Sequence, residues 1–217
     1  MFIDRLRNAI ANRWLTIAER CVGPLNERGL SPNTITLFGL IFSLIAAFFY
    51  GAGLIFLGGI FLFVGAFMDT LDGWVARHSN RSSDSGALFD STLDRYSEFV
   101  VFCGMLFYFR NGWMFFVTFL ALVGSVMVSY VRARAQSLGE NRKVGWAQRP
   151  ERLGILITGS ILNGPASLIL PGFEDKTFAL SIVCLAVVAN ITALHRLWSG
   201  FKGLMQKNEP AQETQQC

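Results

Sequence analysis

Four long stretches without a charged residue constrain the fold of this chain more than any other feature. They cover Ser31 to Met68, Asn111 to Val131, Leu153 to Phe173 and Thr177 to His195. A helix that crosses a bilayer needs about 20 mostly apolar residues. The first stretch is long enough for two such helices, with a break at the Tyr-Gly-Ala-Gly sequence of residues 50–53. These stretches alone predict five transmembrane helices.

A sixth span is expected from about Gly86 to Phe109, although its first turns are charged. They carry Asp90, Asp94, Arg95 and Glu98. The composition agrees with a membrane protein, because 52% of the residues are hydrophobic and only 16% are charged, against about 25% charged in soluble domains. The sequence therefore predicts an all-α integral membrane protein with six transmembrane helices.

Residues 1–207 are expected to form a single membrane domain, with an interfacial segment over 1–30 and the six-helix bundle over 31–207. Apolar residues recur every fourth position in the first segment, with arginines interleaved: Phe2, Leu6, Ile10 and Trp14. This pattern is typical of an amphipathic helix at a membrane surface, and it also fits a helix packed on the rest of the protein. Residues 208–217, rich in Gln and Glu, are expected to be a disordered tail.

Basic residues predict the orientation in the membrane. Of the 19 Lys and Arg residues, only Arg110 and Lys176 fall in the loops on one side of the predicted bundle. Positive residues favour the cytoplasmic side, so both termini are expected in the cytoplasm of a protein of the cell's plasma membrane. The net charge of +4 then reflects topology, and nothing else supports nucleic-acid binding.

Four aspartates stand at the ends of two predicted spans. Asp69 and Asp72 are three residues apart, and Asp90 and Asp94 are four apart, so each pair shares one face of a helix. Ionisable residues at membrane depth are costly and usually mark function. Four carboxylates that converge need cations, and hard oxygen ligands select Mg²⁺, Mn²⁺ or Ca²⁺. A lone aspartate here would be a helix cap or an ion-pair partner, but four at this spacing indicate a metal site.

These positions resemble a family signature. The fixed residues are Asp69, Asp72, Gly73, Ala76 and Arg77, and after eight residues Gly86, Asp90 and Asp94. At every one of these positions the chain resembles the CDP-alcohol phosphotransferase family. The resemblance implies a membrane enzyme of phospholipid biosynthesis that transfers a phosphatidyl group from CDP-diacylglycerol to an alcohol and releases CMP. It also implies a homodimer.

The resemblance implies a role for each matching residue. The metal ligands would be Asp69, Asp72, Asp90 and Asp94, holding two Mg²⁺ or Mn²⁺ ions, and Asp94 would also be the general base. Contacts with the CDP-lipid donor are expected from residues at the start of the first span and along the signature: Pro32, Asn33, Thr34, Ile35, Gly73, Arg77 and Ser83. The Ser-Pro-Asn-Thr sequence at 31–34 is also a good generic helix start.

The acceptor is expected to carry a phosphate. Basic residues stand at the ends of three predicted spans: Arg132, Arg149, Arg152 and Arg196. They resemble the phosphate-binding positions of the phosphatidylinositol phosphate synthase branch, and arginine suits bidentate phosphate binding. Inositol 1-phosphate is therefore favoured, then glycerol 3-phosphate, and then free inositol or serine. A purely topogenic role for these basic residues stays open.

Other interpretations of the same sequence remain at this point. The donor is expected to be a diacyl lipid, with an ether-linked archaeal lipid or a soluble CDP-alcohol as alternatives. A divalent-cation transporter would also place carboxylates in a helical membrane protein, but more typically on broken helices near the midplane. A membrane prenyltransferase would need a second aspartate-rich motif, and a purely structural protein would leave the signature unexplained.

Overall fold

The computed structural model describes residues 31–78, 83–140, 145, 147–169 and 175–213. Within these ranges every regular element is an α-helix, and there is no strand. The six helices are α1 (Pro32–Gly51), α2 (Ile55–His78), α3 (Asp84–Tyr108), α4 (Met114–Ser137), α5 (Arg149–Ile169) and α6 (Lys176–Glu213). The predicted all-α fold is confirmed, and the interfacial segment predicted over 1–30 lies outside the described residues.

Five of these helices are long and apolar enough to cross a membrane: α1, α2, α4, α5 and α6. The remaining helix, α3, has the length, because its 25 residues span about 37 Å at roughly 1.5 Å per residue. Its charged residues Asp94, Arg95 and Glu98 lower its hydropathy below that of its neighbours. The predicted break between the first two spans is also confirmed, since α1 ends at Gly51 and α2 begins at Ile55.

The described helices form a closed ring in the order α1, α2, α5, α6, α4 and α3. Each helix makes its principal contacts with the two helices beside it in that order, and α3 returns to α1. A ring of this kind has an interior that every helix can reach. Side chains from sequence-distant helices therefore meet along its axis.

Small residues let the helices approach closely, as is common in membrane bundles. A Cβ at Gly104 of α3 would lie 2.2 Å from the carbonyl oxygen of Ala47 on α1. A Cβ at Gly59 of α2 would lie 2.6 Å from the Cβ of Ser160 on α5. Neither contact leaves room for a side chain, so these glycines set the spacing of the two helix pairs.

Helix ends agree with the local sequence. Ser31 caps α1, where its Oγ accepts a hydrogen bond of 3.2 Å from the Thr34 N–H, and Pro32 occupies the first turn. Pro suits that position because it lacks an N–H that would go unpaired. At the other end of the chain, α6 continues to Glu213. Residues 208–213 belong to this helix, residues 214–217 lie outside the described part of the chain, and the disordered tail over 208–217 stays a prediction.

Two tyrosines make polar contacts between elements away from the aspartates. Where α1 ends and α6 begins, Tyr50 and Ser160 share a hydrogen bond of 2.8 Å, and the Tyr50 ring stacks on Phe178 with centroids 5.3 Å apart. At the end where α3 stops and α6 starts, the Tyr108 hydroxyl donates to Asp175.

The second contact belongs to a larger group. Asn163 donates its amide hydrogen to the other oxygen of Asp175 at 3.1 Å, and the Thr177 hydroxyl donates to Asn163 at 2.9 Å. We call these four residues, Tyr108, Asn163, Asp175 and Thr177, the far-end cluster. It ties α3, α5 and α6 together at the end of the bundle opposite the aspartates.

Candidate active site

Three of the four expected aspartates lie together at one end of the ring. Carboxylate oxygens of Asp69, Asp72 and Asp90 all lie within 4.8 Å of one another, and we call these residues the carboxylate cluster. The Asp72 Oδ2 and Asp90 Oδ1 atoms are buried without a hydrogen-bond partner. Like charges this close repel strongly in a low-dielectric setting. The unpaired carboxylate oxygens fit a divalent cation, which prefers oxygen ligands.

Asp94 lies beside the carboxylate cluster rather than within the group of three. Asp94 follows Asp90 by four residues, so it lies about 6 Å further along the axis of α3. Its connection to the cluster is Arg149, whose Nη1 lies 2.7 Å from Asp94 Oδ1 and 2.6 Å from Asp69 Oδ2. The Arg149 guanidinium thus bridges one expected metal ligand on α2, Asp69, and one on α3, Asp94.

Arg149 was expected to contact the acceptor phosphate. In the structure its guanidinium forms ion pairs with Asp69 and Asp94. The physical reason is its place at the first turn of α5, where the concentrated negative charge of the aspartates is the nearest counter-charge. Its expected role in acceptor binding stays a prediction.

The expected donor-binding residues divide between the starts of α1 and α3. The Asn33 Oδ1 atom lies 3.9 Å from where a Cβ would stand on Gly86, so the first turns of the two helices are adjacent. Ser83 caps α3, with its Oγ accepting from the Gly86 N–H at 3.1 Å. Two helix N-termini with their partial positive charge therefore lie side by side, which favours an anion.

The other expected donor contacts lie along α1 and α2. The Ile35 side chain is buried with Leu71 and Val75 in an apolar cluster. Gly73 follows Asp72 directly in α2 and is half-buried. Arg77 belongs to the last turn of α2, and its side chain lies outside the described part of the structure.

A second polar network lies deeper in the ring, beyond Asp94. Glu98 of α3 accepts a hydrogen bond from Arg95 Nη1 at 2.7 Å through one oxygen and pairs with Arg152 Nη2 at 3.1 Å through the other. The Ser129 hydroxyl of α4 accepts from Arg95 at 2.7 Å and lies 3.5 Å from Arg152 Nη2. Three helices, α3, α4 and α5, therefore meet at these four side chains.

Arg152 is almost completely buried, with 2% of its surface exposed. Its Nη1 donates to the carbonyl oxygen of Ala147 at 3.2 Å, and its Nε has no hydrogen-bond partner. A buried guanidinium with an unpaired N–H is costly unless a ligand completes it. Arg152 was expected to bind the acceptor phosphate, and its burial and unpaired donor are compatible with that role.

Arg196 is the second buried arginine of the expected acceptor group, at 7% exposed. Its Nη1 donates to the carbonyl oxygen of Val128 at 2.9 Å. It lies within electrostatic range of Arg132, Arg152 and Glu151. Arg132 is exposed at the end of α4. Three helices, α4, α5 and α6, thus carry these four arginines, and their role in acceptor binding stays a prediction.

A cleft connects these groups. It encloses about 640 Å³ of empty space, part of it open to solvent, and its wall includes Asp69, Asp94, Glu98, Arg149 and Arg152. Its floor is apolar and reaches Leu62, Phe102, Leu156 and Leu185. Asp69, Asp94 and the buried Arg152 therefore border one shared space.

Three residues of this site were not assigned a role from the sequence: Arg95, Glu98 and Ser129. The first two carried a usable signal, because both are charged residues within a predicted span, and such residues usually have a partner or a function. Ser129 carried none, since one serine in an apolar helix is common. Its place beside two arginines follows only from the packing of α4.

Comparisons with known proteins agree with this geometry. The family model described as CDP-alcohol phosphatidyltransferase matches residues 30–194. The chain belongs to the CDP-alcohol phosphatidyltransferase family. A phosphatidylinositol phosphate synthase from Mycobacteroides abscessus is 31% identical over 195 residues, which cover 88% of each chain. An archaetidylinositol phosphate synthase from Methanothermobacter thermautotrophicus is 35% identical over 194 residues, covering 88% of this chain and 94% of the relative.

Solved structures of the same family share the fold. The crystal structure of Mycobacterium tuberculosis phosphatidylinositol phosphate synthase with CDP-DAG bound has a TM-score of 0.74, is 30% identical, and covers 86% of this chain and 94% of that one. The same enzyme in complex with manganese and citrate also has a TM-score of 0.74, is 29% identical, and covers 85% and 88% of the two chains. The predicted family and fold are thereby confirmed.

Family membership decides between the classes that the sequence left open. The protein is a multi-pass membrane enzyme of phospholipid biosynthesis, a transferase rather than a cation transporter, prenyltransferase or structural protein. Three of its aspartates form a cluster suited to a divalent cation, and one of the similar solved structures is a complex with manganese and citrate.

Proposed function

We propose that this enzyme transfers a phosphatidyl-type group from a CDP-linked lipid to a hydroxyl of inositol 1-phosphate and releases CMP. The observation that carries the proposal is the pair of buried arginines, Arg152 and Arg196, of which Arg152 borders the same cleft as Asp69 and Asp94. Desolvated guanidinium groups bind a phosphate more strongly than exposed ones. The names of the relatives in both bacteria and archaea support inositol phosphate as the acceptor.

The donor pyrophosphate is proposed to meet the four aspartates through divalent cations. Asp69, Asp72, Asp90 and Asp94 would hold two Mg²⁺ or Mn²⁺ ions, and the unpaired oxygens of Asp72 and Asp90 support this assignment. When bound, the ions supply charge neutralisation of the pyrophosphate and of the departing CMP. Arg149 would then exchange its ion pairs with Asp69 and Asp94 for the acceptor phosphate.

The nucleotide half of the donor is proposed to lie at the starts of α1 and α3. Pro32, Asn33, Thr34 and the Ile35 backbone would face it from α1, and Ser83 would face it from the first turn of α3. Gly73 would leave room beside Asp72, and Arg77 would pair with a donor phosphate. The adjacency of Asn33 and Gly86 supports a single nucleotide pocket between the two helix starts.

Asp94 is proposed to be the general base. It accepts the proton of the acceptor hydroxyl, while the hydroxyl oxygen bonds to the phosphorus that carries the lipid. The bond from that phosphorus to the bridging oxygen breaks, and CMP leaves with the electron pair. The position of Asp94 between the carboxylate cluster and the Glu98 network supports this role, since it lies between the proposed donor and acceptor positions.

The lipid chains and the orientation complete the proposal. A diacylglycerol-linked CDP donor is proposed first, and an ether-linked lipid second because of the archaeal relatives. The enzyme is proposed to lie in the plasma membrane with its active site and both termini in the cytoplasm, as the distribution of basic residues favours. It is also proposed to be a homodimer, which a mass measurement in detergent and in nanodiscs tests.

A CMP-release screen tests the proposed acceptor. Purified enzyme with CDP-diacylglycerol, or its ether-linked counterpart, is offered inositol 1-phosphate, glycerol 3-phosphate, free inositol or serine. We expect inositol 1-phosphate to react fastest. Arg152→Ala and Arg196→Ala should each raise the acceptor KM about 10- to 100-fold, because each removes charge-assisted hydrogen bonds to the phosphate.

Arg134→Ala is the matched control for the arginine variants. Arg134 is exposed in the last turn of α4, so its loss should leave the acceptor KM within twofold. Equal use of free inositol and its phosphate, or a normal acceptor KM in both arginine variants, would show that the phosphate pocket is wrongly assigned and that the basic residues are topogenic.

A further inference from the structure

Glu98 occupies an unusual place for a carboxylate in this site, because it pairs with two arginines instead of belonging to the carboxylate cluster. Its side chain is 10% exposed. One oxygen accepts from Arg95 at 2.7 Å and the other from Arg152 at 3.1 Å. Both oxygens are thus committed to arginines that come from different helices.

The two arginines lead to different parts of the site. Arg95 Nη2 lies 3.9 Å from Asp94 Oδ2, at the proposed base. Arg152 lies on the other side, with a buried Nε that has no partner, and it borders the same cleft as Glu98. One carboxylate therefore connects the proposed base to the proposed acceptor arginine.

Other contacts hold Arg152 less directly. The Ser129 hydroxyl is 3.5 Å away from Nη2 and is shared with Arg95, while the Ala147 carbonyl oxygen engages only Nη1. Glu98 is thus the counter-ion that fixes the guanidinium plane and the direction of its unpaired Nε. Without that carboxylate, Arg95 and Arg152 would also repel each other across Ser129.

We propose that Glu98 is a positioning residue for the acceptor, acting through Arg152 without touching the acceptor itself. The proposal rests on the proposed function, since it assigns Arg152 to the acceptor phosphate. A fixed guanidinium loses less conformational freedom when it binds the phosphate, so preorganisation by Glu98 raises acceptor affinity. The alternative is that Glu98 only ties α3 to α5.

Steady-state kinetics on Glu98→Gln separates these roles. Glutamine keeps the size of the side chain but presents one oxygen and one NH₂ group, so it pairs with only one of the two arginines. We expect at least a fivefold rise in the acceptor KM, with the donor KM within twofold of wild type. Glu98→Asp keeps both acceptor oxygens on a shorter side chain and should recover part of the affinity. Glu140→Gln, near the end of α4, removes the same charge and is the matched control.

A double-mutant cycle with Arg152→Ala provides the sharper readout. If Glu98 acts through Arg152, Glu98→Gln should change the acceptor KM less than twofold in the Arg152→Ala background. The guanidinium that Glu98 positions is then already missing, so the effects of the two substitutions do not add. A purely structural role would instead lower the unfolding midpoint in detergent, and it would leave the acceptor KM unchanged or raise both KM values together. The proposal is overturned if Glu98→Gln leaves the acceptor KM unchanged or raises the donor and acceptor KM values together. It is also overturned if Glu98→Gln has its full effect on the acceptor KM in the Arg152→Ala background.

The wild-type screen keeps this test distinct from the test of the proposed function. If wild type prefers an unphosphorylated alcohol, the proposed acceptor is wrong whatever the Glu98 variants do. The cycle is then measured with the alcohol that wild type prefers. Non-additivity of Glu98 and Arg152 in that acceptor KM supports positioning, and additivity contradicts it.

Discussion

The two ends of the helix bundle each contain a buried group of polar side chains, but the groups differ in how completely they are satisfied. In the far-end cluster, both oxygens of Asp175 and both polar atoms of Asn163 have partners. At the other end, the described atoms without a hydrogen-bond partner include Asp72 Oδ2, Asp90 Oδ1, Glu151 Oε2 and Arg152 Nε. In the far-end cluster, the polar atoms of Asp175 and Asn163 are satisfied by other protein groups, whereas the active-site end retains buried polar atoms without a hydrogen-bond partner.

This difference has a physical meaning. A closed hydrogen-bond network strengthens the native structure, whereas a buried polar atom without a partner costs about 1–3 kcal/mol. An enzyme keeps such atoms where a ligand completes them. Asp94 and Asp175 stand near opposite ends of the bundle. The substitution Asp→Asn can therefore be compared at a site with unpaired polar atoms and at a site where the polar atoms are hydrogen-bonded.

Removal of divalent cations should have the largest effect. Addition of EDTA is expected to reduce CMP release to background, because the charge of the pyrophosphate and of the departing CMP would be unopposed. Mg²⁺ or Mn²⁺ in excess should restore it. Undiminished turnover in chelator would contradict the proposed role of the carboxylate cluster. Thermal unfolding with and without the metal provides an independent readout, since a ligand that binds only the folded state stabilises it.

Asp94→Asn should have the next largest effect. Loss of the general base is expected to lower kcat by about 10²- to 10⁴-fold, because asparagine cannot accept the proton of the acceptor hydroxyl. The unfolding midpoint should stay close to that of wild type, since asparagine keeps the size of the side chain and Arg149 keeps its ion pair with Asp69. Measured CMP release near the wild-type rate would show that Asp94 is not the base.

Asp175→Asn should have the smallest effect on turnover and should act on stability instead. Asparagine tolerates the positive φ of 59° at this position but can accept from only one of Tyr108 and Asn163 through its oxygen. We expect a loss of about 1–2 kcal/mol of folding free energy, seen as a lower unfolding midpoint in detergent. The kcat and the acceptor KM should stay within twofold of wild type. A large loss of turnover here would mean that the two ends are coupled.

Much of the site was visible in the sequence because short-range geometry determines it. The spacing of Asp69, Asp72 and Asp90 on two helices that meet at a polar loop was enough to predict that their carboxylates converge. The helix starts at Ser31 and Ser83 also follow from local sequence, because each capping hydroxyl accepts a hydrogen bond from an N–H three residues away. Such features depend on neighbours along the chain and need no knowledge of the fold.

The partners of Arg149, Glu98 and Ser129 depended on packing instead. Nothing in the sequence indicates that Arg149 lies between Asp69 and Asp94, or that Ser129 lies beside Arg95 and Arg152, because these contacts join helices whose order in the ring is not their order in the chain. The glycines that bring α1 against α3 and α2 against α5 set that order through close backbone contact.

The sequence by itself determined the number and type of the helices, the end of the bundle where the chemistry lies, and the family. Hydrophobic runs, i to i+3 and i to i+4 spacing, and a fixed signature are local properties of the chain. The tertiary structure alone decided which charges are paired. The reason is physical: the choice of counter-ion for a buried arginine depends on distances of a few ångströms between helices, and Coulomb energy in a low-dielectric interior changes steeply over that range.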